Sequence, residues 1–408
     1  MRETDAIVIG AELEALLATL RLLQQGASVR LLATGGGSLP YAPGGLQLLG
    51  RDPQDPVRAI ANPFEAVERL PLQHPLRHVG RERIGPALDW FLDLMERLGA
   101  AWQREPQNRP VIAMAGETRS VLARPQSQAS LDTLTGHRIA VLAFERFRDF
   151  PADLIVAGLR RQGLDAITVR VDPKLDCPDS VRFGQALDRP GEAAALLETV
   201  RKALPAGRDL VLFPAILGIA RHRQIFDLAR QVLDAPVFEG ATLPPCLFGV
   251  RLHHLLMREI SRLGGLVQPG MRSLRGLIEA GRCQGIGDGE GRHHRASHYI
   301  AGSGGVLMGG LEVDSRGHIA ETIFGLPIHQ TDPLGRRSPA ETIDALHRAG
   351  VETDSSFRPT GGDGAVVENL RVIGATLAHW NPTLEESSEG VAIGTAWAAT
   401  GNAAGASH

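Results

Sequence analysis

Three sets of residues in this chain have types and spacings that suit chemistry. The first is Gly10-Ala11-Glu12-Leu13-Glu14-Ala15, which nearly writes the G-x-G-x-x-G/A turn that seats a pyrophosphate on a helix N-terminus. Gly10 and Ala15 take the first and third positions, which serve the tight turn and helix-to-strand packing. The middle position, where bare backbone would approach the phosphates, is Glu12. A carboxylate about 5 Å from one phosphate charge, at an effective dielectric near 20, costs roughly 3 kcal/mol. That is on the order of a hundredfold in affinity. The second is Arg251, close behind Pro244-Pro245. Its guanidinium suits a phosphate or carboxylate, with a salt bridge at a helix start as the structural alternative. The third is His329, His347 and His379 in the C-terminal third, where a substrate-facing histidine or an ordinary structural one would stand. No residue pattern singles out a catalytic base.

Elements must hold these residues. Asp5-Ala-Ile-Val-Ile-Gly10 reads as a short buried strand, because a brief apolar run closed by glycine suits a sheet covered on both faces. Ala11 to Gln25 lacks Gly and Pro and is rich in Leu and Ala, which predicts a helix. Gly26 stops it, and Ala27 to Leu32 reads as the next strand. Strand, glycine turn, helix, strand is the opening βαβ unit of a dinucleotide-binding fold. The second strand ends in Leu31-Leu32-Ala33-Thr34, without the acidic residue that would hold a ribose hydroxyl. The run Gly35 to Gly45 then offers bare backbone beside a ligand, with Gly44 and Gly45 at its end. An amphipathic helix is expected over 84–98, and paired strands at 110–114 and 119–123 around Gly116.

From 137 to 233 strands and helices alternate at a spacing that argues for a second parallel sheet. The dinucleotide fold is incomplete by residue 140. We therefore expect an inserted α/β domain over 61–241, within a discontinuous Rossmann-like domain formed by 1–60 and 242–408. A helix follows Pro244-Pro245 to about Leu263. Asp288 to Arg295 reads as a polar hairpin tip. His293 and His294, as strand neighbours, point to opposite faces and read as a solvated turn, not a metal pair. Ser297 to Gly305 and Val366 to Gly374 are late strands ending in glycine, and Val391 to Asn402 is the closing helix. A dinucleotide fold brings such strands back to its cofactor, which marks Gly302, Gly304, Gly374 and Ala375. A βαβ start, a long insertion and a C-terminal strand, loop and helix form the layout of large flavoproteins. Ala375 stands where many of them have an aspartate that bonds the ribityl chain.

Composition sets bounds. A chain of 408 residues can bury a large core and hold two or three structural units. A net charge of -3 gives no broad basic surface for nucleic acid. Cys177, Cys246 and Cys283 are far apart, which excludes an iron–sulfur cluster or zinc ribbon built from this chain alone. No apolar run approaches the roughly 20 residues of a membrane helix. Met1-Arg-Glu-Thr-Asp does not read as a signal peptide, so a cytoplasmic location is expected, with any membrane contact made through a partner.

Further segments carry a resemblance. They are Pro110-Val-Ile with Thr118-Arg-Ser, Thr242-Leu-Pro-Pro with Gly249-Val-Arg251, and Ala301-Gly-Ser-Gly-Gly with Gly309-Gly-Leu. Phe324-Gly-Leu, Thr353-Asp, Arg358-Pro, Asn369-Leu-Arg-Val-Ile-Gly374 and Asn381-Pro382 complete them. In this order, over nearly the whole length, the chain resembles the B subunits of anaerobic glycerol-3-phosphate dehydrogenase complexes. The resemblance implies a flavin-associated subunit, holding FAD or FMN, that works with a catalytic flavoprotein chain. It implies oxidation of glycerol 3-phosphate to dihydroxyacetone phosphate, with electrons passing to a membrane-anchoring iron–sulfur subunit and on to quinone. Cofactor contacts are then expected at Gly10, Ala11, Glu12, Ala15, Thr34, Gly44, Gly45, Gly302, Gly304, Gly374, Ala375 and Gly390, and a substrate contact at Arg251. The chain departs from the family at Glu12 and in Glu385-Glu-Ser-Ser-Glu-Gly390, where glycines would lie against the flavin and three carboxylates are expected to crowd it. The alternative is a flavoprotein-fold scaffold in an electron-transfer complex that no longer holds its own flavin.

Overall fold

A computed structural model describes residues 4–330, 334 and 338–401. Met1 to Glu3, read above for a leader, and Asn402, the expected end of the last helix, lie outside the described residues. The chain forms two compact units. One takes Met1–Ser38, Gln47–Phe91 and Leu255–His408, and the other Leu39–Leu46 and Leu92–His254. The sequence places the boundaries near 60 and 242, whereas the units divide at Ser38, Gln47, Phe91 and His254.

The first unit is built on a parallel sheet. Its strands are β1 (Thr4–Ile9), β2 (Val29–Leu32), β3 (Leu266–Gln268), β4 (Ala296–Ala301) and β5 (Leu370–Val372), in spatial order β3-β2-β1-β4-β5. Each neighbouring pair is parallel, with Ile9 level with Leu32 on one side and Ala301 on the other. The two strands of the opening βαβ unit and the two late strands that end in glycine thus lie in one sheet. Helix α1 (Leu13–Gln24) crosses from β1 to β2 and buries residues on nearly every side, as its Leu- and Ala-rich sequence requires. Helix α2 (Ser388–Thr400) packs on α1. Its glycines let two other segments close in on it: Gly390 lies against Leu48 and Gly394 against Val79. The Arg21 guanidinium of α1 stacks 3.1 Å over the Trp397 ring of α2.

The second unit holds a four-stranded parallel sheet of Val237–Gly240, Leu210–Pro214, Arg138–Phe144 and Asp165–Val171, in that order. Apolar residues of these strands and of the helices Ala152–Arg161, Ser180–Leu187, Glu192–Ala203 and His222–Leu233 form its core. A long hairpin, Trp102–Ile112 with Thr118–Pro125, turns at Gly116. Gly116 and Gly158 meet backbone to backbone: a Cβ on Gly158 would collide with the Gly116 carbonyl, and one on Gly116 with the Leu154 carbonyl.

Candidate active site at the carboxyl end of the sheet

In a sheet of this topology, ligands are expected beyond the carboxyl ends of the strands. There β1 ends in Gly10, β4 runs into Gly302 to Gly305, and β5 runs into Gly374-Ala375. Gly10 has φ +122°, and a Cβ there would collide with the Gly302 carbonyl. The two strand ends therefore close on each other through bare backbone. Gly302 in turn lies against Ala15 and Glu14, so the third position of the turn does the packing its size predicted.

The rest of this end is filled by the chain's own carboxyls. Glu12 is the N-cap residue of α1, yet its side chain makes no capping bond to the helix. It is buried (6% exposed), neither swung into water nor set on the free helix N–H groups. Its carboxylate accepts from the Ser38 N–H at 3.0 and 3.1 Å and from the Ser38 hydroxyl. Its Cγ fills the space beside Gly304, where an added Cβ would stand 2.8 Å away. Glu14, on the first turn of α1, is buried as deeply and accepts from the Ala375 N–H at 3.2 Å. It occupies the ground beside Gly374, whose φ of +67° turns the chain around it.

Burial pushes the Glu14 carboxyl up to about 8, and the neighbouring charge of Glu12 adds to the rise. Burial raises Glu12 as well, against the pull of its Ser38 bonds. Glu12 and Glu14 therefore take up the Ser38 and Ala375 N–H groups and fill the ground beside Gly304 and Gly374, where a phosphate-bearing ligand would approach bare backbone. The residues present do not fit a flavin pyrophosphate at this turn. Glu14 was missed from sequence; a lone acid inside an otherwise apolar helix was the available signal.

The other predicted residues are placed as follows. Ala11 presses its carbonyl against Gly37, and Thr34 is exposed. Gly44 and Gly45 belong to the second unit, where they pack against Gln128, Phe248 and Val121. Gly390 packs on Leu48. The closing loop corrects an expectation, because its three carboxylates do not crowd one pocket. Glu385 is fully buried and accepts from His74 Nε2 at 2.9 Å and the Asn381 N–H at 2.8 Å. Glu386 pairs with Arg51 at 3.1 Å, and Glu389 accepts from the Gln47 N–H at 3.2 Å. Each is held by a different part of the chain.

Arg251 is likewise committed. Its guanidinium meets Glu239 in a two-pronged pair at 2.7 and 2.8 Å, and its Nε donates to the Gly218 carbonyl. Glu239, fully buried, also accepts from the Leu217 N–H and meets His222 at 3.0 Å. Against burial, Arg251 and His222 hold its carboxyl far below the usual range. The salt-bridge alternative is the one observed. His294 is a second correction. It is buried, 3.0 Å from Asp288, while His293 faces out, so the tip is solvated except at His294. His347 lies on the helix Pro339–Arg348 apart from the other two histidines, and His329 and His379 lie with ring centroids 4.1 Å apart.

Comparison with known families agrees with this architecture. Residues 5–391 match the FAD binding domain family, and the chain belongs to it. It is similar to the B subunit of the anaerobic glycerol-3-phosphate dehydrogenase of Pectobacterium carotovorum, with 28% identity over 95% of this chain and 96% of that one. The protein of the same name from Vibrio cholerae is 28% identical over 97% of this chain and 95% of its own length. Among solved structures, the 3-ketosteroid delta1-dehydrogenase of Sterolibacterium denitrificans aligns over 99% of this chain and 100% of its own. Its identity is 10% and the TM-score 0.44.

Proposed function

We propose that this chain is a subunit of a quinone-linked complex that oxidises glycerol 3-phosphate to dihydroxyacetone phosphate. In this reading it works with a catalytic flavoprotein chain and an iron–sulfur chain at the membrane. The observation that carries it is the match, end to end, to proteins named as the B subunit of that dehydrogenase. The three scattered, buried cysteines support it, since the clusters must then belong to a partner. Among the described residues no helix is long and apolar enough to cross a membrane, so membrane attachment of a cytoplasmic chain falls to that partner as well.

The Glu12 and Glu14 pair favours a scaffold role, with the chain's own flavin turn shut. The other reading, a bound FAD or FMN, has family membership and the surviving glycines behind it. It requires both carboxyls to leave their bonds to Ser38 and Ala375. Titration of the purified chain with each flavin separates the two. We expect binding weaker than micromolar, and a gain of at least about tenfold, or 1.4 kcal/mol, when Glu12→Gly and Glu14→Ala are combined, which empties the space beside Gly304 and Gly374. Submicromolar binding by the unmodified chain returns the cofactor to it. Co-expression with the neighbouring subunits tests the partnership. Glycerol 3-phosphate oxidation coupled to quinone is expected of the complex, and the same activity from this chain alone overturns that reading.

A further inference from the structure

His329, Glu352 and His379 come together from three separate stretches of the first unit. One ligand atom from each lies within 4.8 Å of the others. The frame beneath them is stiff. Ile328–His329 pairs antiparallel with Gly350–Val351, setting His329 level with Gly350. Val351 is bridged in parallel to Leu377, and the His379 N–H donates to the Arg348 carbonyl. Gly350 has no side chain because the backbone of Thr376 to Ala378 passes directly over it. All three side chains thus stand on backbone segments hydrogen-bonded to their neighbours.

The side chains converge on one point. A single Glu352 oxygen is 2.7 Å from His379 Nε2 and 3.4 Å from His329 Nδ1. His379 holds φ +69°, a left-handed conformation that a histidine adopts rarely and that aims its ring at this point. Strain of this kind persists where the surroundings impose it, and it concentrates at functional sites. A cavity of about 200 Å³ opens on the same cluster, lined by Glu352 and His379 and walled by His78, Gln73 and Pro75.

Two imidazoles and one carboxylate with open space beside them form the donor set of a zinc-class site that keeps coordination positions free. We propose that His329, Glu352 and His379 bind a divalent transition metal, zinc or a close neighbour, whose remaining positions face the cavity and take water or a small oxyanion. The proposal is independent of the dehydrogenase reading, since none of these residues takes part in it.

The test uses the full-length, tag-free chain after chelator treatment. Zn²⁺ is titrated by calorimetry and Co²⁺ by its visible ligand-field bands. One equivalent should bind in the low-micromolar range or tighter, with the band intensity of a tetrahedral or five-coordinate ion. His379→Asn keeps a residue that tolerates the left-handed backbone, and Glu352→Gln changes an exposed group, so neither should disturb the fold by circular dichroism. Each should weaken binding by at least about tenfold, while His293→Gln, at an exposed histidine elsewhere, should leave it unchanged. Binding weaker than low-micromolar, or tight binding that survives either substitution, overturns the proposal.

Discussion

Replacing Glu14 by Gln should change how the stability of the first unit depends on pH. Glu14 is buried on the first turn of α1, and its carboxyl is raised from the ordinary 4.5 to about 8. Between those values the folded chain keeps a proton that the unfolded chain has released. Stability therefore falls as pH rises through this window, by about 1.4 kcal/mol per pH unit for one proton. From about pH 5.5 to 7.5 the loss is about 2.7 kcal/mol. Above the folded value both states are ionised, and this group's slope disappears. Gln carries no charge and still offers an oxygen to the Ala375 N–H. The variant should accordingly lack this part of the slope and gain on the parent by about 2–3 kcal/mol across the two pH units. Urea unfolding followed by tryptophan fluorescence measures it, because Trp90 and Trp397 lie together in this unit. Parallel pH profiles for parent and variant would show that Glu14 is ionised in the folded chain, and the reasoning would fail.

Two other outcomes follow from the packing. Arg251→Met should destabilise the second unit by about 3–5 kcal/mol, because it leaves Glu239 buried without its main partner. Adding Glu239→Gln should recover much of that in the urea midpoint, and a single variant no weaker than a surface change would contradict the pairing. Gly10→Ala should sharply reduce soluble yield, since the new Cβ meets the Gly302 carbonyl at φ +122°. Wild-type yield and unfolding midpoint would refute the close approach of β1 and β4.

The sheets were legible because their signals are local. Asp165 to Val171, Ala152–Arg161 and Val29–Leu32 each carry their periodicity or apolar run within a few residues, and glycines mark the ends. The site was less legible because its partners are remote. Glu14 meets Ala375 across 361 positions, and Glu385 meets His74 across 311. Nothing in the sequence around Glu385 to Glu389 announces His74, Arg51 or Gln47, so three separately held carboxylates read as one repelling cluster. Arg251 could be read two ways for the same reason, as Glu239 lies twelve positions upstream on a different element. His329, Glu352 and His379 share no motif spacing, and only the pairing of short strands assembles them.

The order of strands in the first sheet also bears on how the chain is made. β1 is finished within the first ten residues, yet its second neighbour is Ala296–Ala301. At roughly 5–20 residues per second on the ribosome, β1 waits on the order of 15 to 60 s for that partner. During that interval β1 can pair with β2 alone, and one hydrogen-bonding edge of an apolar strand stays open to other nascent chains. The second unit, whose parallel strands all lie between Arg138 and Gly240, is translated whole in the meantime. A chaperone acting on this chain would therefore have its main client in the first thirty residues, and any product released before Ala296 would carry an uncapped strand of a sheet it can never complete.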